Sequence, residues 1–180
     1  MLVTAEESIL LMVDIQERLM PSIAGAERIA ERAAFLLRAA RILSVPILVT
    51  EHYPKGLGRT IPALAAELRP DEVFEKIHFS SAAEPGFLER VQAFDRRQIV
   101  ICGAEAHVCV LQSALWLKAL GYDVYLAADA TGSRNADDRS LALSRMMGGG
   151  VRVVSSEMVV FEWLGRAGTP AFKELLPLIR

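Results

Sequence analysis

At 180 residues the chain has the length of one domain by the usual allowance of roughly 150 residues each, and a single domain over 1–180 is expected. Hydrophobic residues make up 52% and charged residues 23%, which excludes a disordered tail and leaves ample apolar side chain for a core. Twenty basic against 22 acidic residues give a net charge of −2, too little field to hold a polyphosphate backbone or an anionic membrane, so neither nucleic acid nor membrane is expected as a partner.

In chain order, the opening 1–7 stretch carries no basic residue, and the apolar run 9–13 is far shorter than the ~20 residues that cross a bilayer. A cytoplasmic location is expected. Short apolar, β-branched runs at 8–14, 46–50, 73–75, 98–102, 123–127 and 151–154 read as buried strands. Between them, apolar residues recur at helical spacing over 26–43, 87–94, 108–120, 139–147 and 157–164. Strands alternating with helices need crossover connections, so the expected fold is α/β: a three-layer, Rossmann-like arrangement with a mostly parallel sheet of about six strands and helices on both faces. Phe74, Phe79, Phe87 and Trp116 read as core residues; Trp163, with Phe161 and Phe172, suggests a subunit contact near the C-terminus and hence a homo-oligomer.

In such sheets, ligands bind outside the carboxyl ends of the strands, where strand order reverses. The residues that end the strands are Asp14, Glu51 with His52, Lys76 just after the third run, Cys102 with Gly103, Asp129 and Ser155. A carboxylate at an apolar strand end calls for a cation, and Lys76 is the candidate. Cys109 opens the helix after Gly103, where unpaired backbone N–H groups favour thiolate and can hold an oxyanion; Cys102, inside an apolar strand, reads as inert. His52, His78 and His107 show no metal-ligand spacing, so no metal and no cofactor are expected.

Val13-Asp14-Ile15-Gln16, Lys76 with Phe79-Ser80, the Gly103 to Val110 segment, Asp129-Ala130-Thr131 and the 151–161 segment together resemble the isochorismatase-like cysteine hydrolase superfamily, which includes nicotinamidases and carbamoylsarcosine amidases. The stretch Thr50-Glu51-His52-Tyr53-Pro54-Lys55-Gly56-Leu57-Gly58 resembles its isochorismatase domain-containing branch. The resemblance implies a triad of Asp14, Lys76 and Cys109, a cis peptide between Ala104 and Glu105, and dimers or larger assemblies. Metal-binding relatives carry an Asp-x-His pair where this chain has Glu51 and His52 side by side, which argues against a bound ion. The expected reaction is hydrolysis of a small amide, ureide or ester through a thioester, with the backbone N–H groups of Glu105 and Cys109 as oxyanion donors. Gln16, Tyr53 and His107 are candidates to line the substrate pocket. Two other readings keep the fold without hydrolysis: a non-catalytic oligomeric interaction protein, and a redox sensor in which Cys102 resolves an oxidised Cys109.

Overall fold

The computed structural model describes residues 2–179; Met1 and Arg180, the ends of the expected domain span, lie outside the described residues. Six strands form one sheet: β1 Ser8–Val13, β2 Ile47–His52, β3 Val73–Lys76, β4 Gln98–Ala104, β5 Asp123–Gly132 and β6 Arg152–Val154. Their order is β3-β2-β1-β4-β5-β6, and every neighbouring pair is parallel. The helices are α1 Ala26–Ile42, α2 Pro54–Leu57, α3 Pro62–Ala65, α4 Phe87–Gln92, α5 Leu111–Ala119, α6 Ala136–Gly148, α7 Ser156–Leu164 and α8 Pro170–Leu175.

Period-two alternation along the strands builds two cores. Leu10, Met12, Val100 and Cys102 face α1 and α7, whereas Ile9, Leu11, Ile99 and Ile101 face α4, α5 and α6. The α/β architecture expected from the sequence is the one observed. Among the described residues no helix is long and apolar enough to cross a membrane.

Three aromatic placements differ from the expectation. Trp163 is only 5% exposed and its indole N–H donates to Ser8 Oγ at 2.9 Å, so it is a core residue and not a subunit contact. Conversely, Phe79 and Trp116 are 53% and 47% exposed. Phe79 lies in the loop after β3, and Trp116 sits on the outer side of α5, whose inner side buries Ala114 and Leu117. Hydrophobicity alone could not tell these aromatics apart, because the burial of the two tryptophans depends on which helix face the sheet covers and Phe79 lies beyond the strand.

Strand order reverses between β1 and β4, which pair in register from Ser8–Gln98 to Val13–Gly103. At that last step a Cβ on Gly103 would stand 2.0 Å from the carbonyl oxygen of Val13, and the residue has φ of +131°. Only glycine allows the approach. A Gly103→Ala substitution is therefore expected to cost at least about 3 kcal/mol, read as the urea midpoint; an alanine variant of native stability would contradict this packing.

Candidate active site

The turn after β1 places Asp14 in left-handed backbone, φ +52°, a conformation aspartate tolerates better than most residues. Its side chain is fully buried, its Oδ1 accepts from Thr50 Oγ1 at 2.7 Å, and its Oδ2 accepts from Lys76 Nζ at 2.7 Å. Lys76 ends β3, two strands away, in register with His52 of β2. Its ammonium also donates to the carbonyls of His78 at 3.2 Å and Phe79 at 3.3 Å, so three protons meet three acceptors. The buried charges are thus paired and hydrogen-bonded, the condition under which burial is tolerated.

Those two carbonyls belong to a loop held by Glu84, whose Oε2 accepts from the backbone N–H groups of Ile77 at 2.8 Å and His78 at 3.0 Å and meets His78 Nδ1 at 2.8 Å. Burial pulls the Glu84 carboxyl upward, but the His78 and Ile77 donors outweigh it and hold it down at about 2. A depressed carboxylate contributes fully above its ordinary value of 4.5 and is lost as pH falls through about 2. Acidification from pH 5 to 2 should therefore release the amides of Ile77 and His78 to hydrogen exchange; protection that matches a Glu84→Gln variant throughout would refute the clamp.

Cys109 lies in a π-helical turn, Ala106–Val110, that leads from β4 into α5, and it is 6% exposed. Its sulfur, a carboxylate oxygen of Asp14 and a ring nitrogen of His52 all lie within 4.8 Å of one another. Burial pushes the Cys109 thiol up to about 12, the Asp14 carboxylate adds to this, and the Lys76 ammonium offsets only part of it. The resting site therefore holds a thiol, which corrects the expectation of a stabilised thiolate: desolvation and the adjacent carboxylate win over the lysine. Cys102 is likewise pushed up to about 12, by complete burial with Asp129 adding to it. The two cysteines differ in neighbours. Cys102 packs in the layer under α1 and α7 and Cys109 in the layer under α4 to α6, with the sheet between them, so Cys102 is not placed to resolve an oxidised Cys109.

The other candidates divide. Gln16 is fully buried and spans β2 and the next loop: its Oε1 accepts from His52 N–H at 2.8 Å, and its Nε2 donates to the carbonyls of His52 at 3.0 Å and Gly58 at 2.7 Å. It clamps this loop and does not line a pocket. Glu51 points away from the site, accepting from Thr60 N–H at 2.7 Å, Thr60 Oγ1 at 2.8 Å and Arg59 at 2.9 Å. Tyr53 lines a cavity of about 400 Å³ together with Arg59, Glu75, Lys76 and Ile77. His107 borders a different depression, beside Leu111, Trp116 and Arg145, and its Nδ1 meets Ser133 Oγ at 3.0 Å. The Ala104–Glu105 peptide is cis, and the Glu105 carboxylate accepts from the backbone and side chain of Arg134 at 3.1 and 3.0 Å. Asp129 is structural, capping α7 through Ser156 N–H at 2.7 Å and Oγ at 2.6 Å.

The residue that sequence reasoning undervalued is His52. Histidine spacing along the chain gave no cluster, yet the fold brings His52 to Asp14 and Cys109, with Glu51 turned elsewhere. Period two along β2 was the available signal, since it puts Thr50 and His52 on one face. The Asp14, His52 and Cys109 donor set does not fit a resident cation: both Asp14 oxygens are engaged, and the Lys76 ammonium stands where a dication would be repelled.

Residues 8–158, which carry every one of these groups, match the isochorismatase domain family. Isochorismatase domain-containing protein 2 of Xenopus laevis is 41% identical over 173 residues, 96% of this chain and 83% of that protein. The chain belongs to the isochorismatase domain family. Among solved structures, one described as MAR1 ribonuclease from Caenorhabditis elegans has a TM-score of 0.93 at 35% identity, covering 99% of this chain and 92% of that one. The YcaC gene product of Escherichia coli, described as an octameric hydrolase of unknown specificity, shares the fold with a TM-score of 0.92 at 22% identity, over 98% of this chain and 90% of that one. The isochorismatase-family fold is a hydrolase fold, and the resemblance read from the sequence holds.

Proposed function

We propose that the chain is a cysteine hydrolase of small amides or ureides. The observation that carries this reading is a buried carboxylate, paired with Lys76 at 2.7 Å, within 4.8 Å of a buried thiol. Asp14 takes the Cys109 proton as the sulfur attacks the substrate carbonyl, and the oxyanion is held by the backbone N–H groups of Glu105 and Cys109. The tetrahedral centre collapses with cleavage of the C–N bond, and Asp14 returns its proton to the departing amine, leaving a thioester. Water then adds to the thioester, giving a proton to Asp14; the C–S bond breaks, the acid product leaves, and the thiol recovers its proton. Lys76 compensates the carboxylate charge throughout. No step calls for a cofactor.

The test is a panel of small amides, ureides and esters, followed by release of amine or alcohol, with wild-type and Cys109→Ala protein in parallel. Turnover lost in the variant is expected; turnover retained would overturn the reading. Single-stranded RNA belongs in the panel, because the Caenorhabditis elegans relative is described as a ribonuclease. The net charge of −2 argues against a polyanionic substrate here.

A homo-oligomer is part of the same proposal. The Escherichia coli relative is described as octameric, and exposed Ile77, Phe79 and Trp116 line a shared depression on this chain. Light scattering at micromolar concentration should give a multiple of 19.7 kDa; a monomer would contradict it.

A further inference from the structure

His52 is held more firmly than its place at a strand end requires. Its backbone N–H and carbonyl both bond the buried Gln16 amide, it pairs in register with Lys76, and its ring packs on Phe79 with centroids 5.3 Å apart. A ring nitrogen lies within 4.8 Å of both the Asp14 carboxylate and the Cys109 sulfur. Nδ1 is shut off from solvent and has no hydrogen-bond partner, the one such side-chain atom among the described residues. An unpaired buried polar atom is costly, and on a ring that reaches a nucleophile it is most simply explained by a partner that arrives with the substrate.

The charge state follows from the surroundings. Burial lowers the affinity of the ring for a second proton, Lys76 lowers it further, and Asp14, the His78 carbonyl and Glu84 oppose this without reversing it. The imidazole is therefore neutral near pH 7. A neutral imidazole carries a single proton, and with that proton on Nε2 the unpartnered Nδ1 keeps its lone pair.

We propose that His52 is a specificity residue: Nδ1 accepts a hydrogen bond from an N–H of the substrate, so that an amide or ureide is preferred over the matched ester. The inference rests on Cys109 being the nucleophile. A site built to accept an N–H discriminates strongly against an analogue that lacks one, because the analogue leaves the acceptor unpaired. The ester places an oxygen lone pair where the amide places a donor, and two lone pairs repel.

The experiment uses 2-chloroacetamide and methyl chloroacetate, which differ in carrying NH₂ or OCH₃ beside the carbonyl. Each alkylates a thiol by forming a C–S bond and breaking the C–Cl bond; chloride leaves with the electron pair, and the thiol proton passes to Asp14 and on to solvent. Labelling rates at Cys109, followed by peptide mass, are expressed as the amide-to-ester ratio divided by that ratio for free glutathione. A preference of about tenfold is expected for the wild type, corresponding to one hydrogen bond. It should fall to near one in His52→Leu and return in part in His52→Asn, whose side-chain oxygen reaches the Nδ1 position. His52→Gln, which reaches the Nε2 position instead, should not restore it. Melting temperatures identify any variant that fails to fold, and the wild-type ratio and the Asn and Gln pair still decide the question without His52→Leu. A wild-type ratio near one, or a ratio unchanged in the folded variants, would overturn the proposal while leaving the nucleophile intact. No labelling of Cys109 by either reagent would overturn the nucleophile reading and this one with it.

Discussion

Asp14→Asn is expected to slow alkylation and turnover at Cys109 by about 10²–10⁴, the usual contribution of a positioned general base. The sign of this effect is informative because two consequences of the substitution oppose each other. The Asp14 carboxylate is one of the groups that hold the Cys109 thiol up at about 12, so its removal favours thiolate. If Asp14 acted only through its charge, the Asp14→Asn protein would react faster at neutral pH and its rate would rise at lower pH than that of the wild type. Yet a thiol at about 12 is ionised in roughly one molecule in 10⁵ at pH 7, so efficient attack needs a group that accepts the proton during the reaction. Asp14 is within 4.8 Å of the sulfur, and among the described residues it is the one carboxylate in the cluster that it forms with His52 and Cys109. A pH–rate profile from 5 to 10 for both proteins separates the cases. Slower reaction across the neutral range supports the base; faster reaction with the rise displaced to lower pH refutes it.

How much of this was legible in the sequence depends on the range of the interaction concerned. Asp14, Lys76 and Cys109 each stand out locally, as a charge or thiol at the end of an apolar run, and parallel topology then carries strand ends to one edge. The ionisation of Cys109 was not legible, because it depends on the balance between burial, a carboxylate on β1's turn and an ammonium on β3, and these distances exist only in the fold. His52 was hidden for the same reason: its partners are 38 and 57 positions away in sequence, on separate strands and turns. Gln16 illustrates the converse error. An amide next to the key aspartate reads as a ligand contact, whereas three backbone bonds show that it fastens the loop which carries Tyr53 and Gly58. β5 was expected to end at 127, before Asp129, but the strand runs on to Gly132, its register against β4 shifting so that Thr131 pairs with Gly103. An acidic residue reads as a strand end from composition, although here the helix α7 takes up its carboxylate.

Lys76→Met is expected to be the most destabilising of the site substitutions, at about 3–5 kcal/mol, the range for removing one member of a buried ion pair. Lys76 and Asp14 have no exposed side-chain surface, so the carboxylate left behind keeps the Thr50 Oγ1 donor but loses its compensating charge. The loss should be largely recovered in the double variant Asp14→Asn/Lys76→Met, in which neither charge is buried; the pair itself adds little net stability, because its attraction is spent against desolvation. The double-mutant cycle, measured by urea unfolding, is thus expected to show a coupling of about 2 kcal/mol or more, in the upper part of the range for contacting residues. Activity should behave differently. The double variant regains stability but has neither the proton acceptor nor the cation, so its turnover stays as slow as that of the single variants. That dissociation is what distinguishes a pair kept for chemistry from one kept for folding. Single variants as stable as the wild type would show that the ammonium and carboxylate are solvated in solution, and a double variant with native turnover would remove both from the reaction.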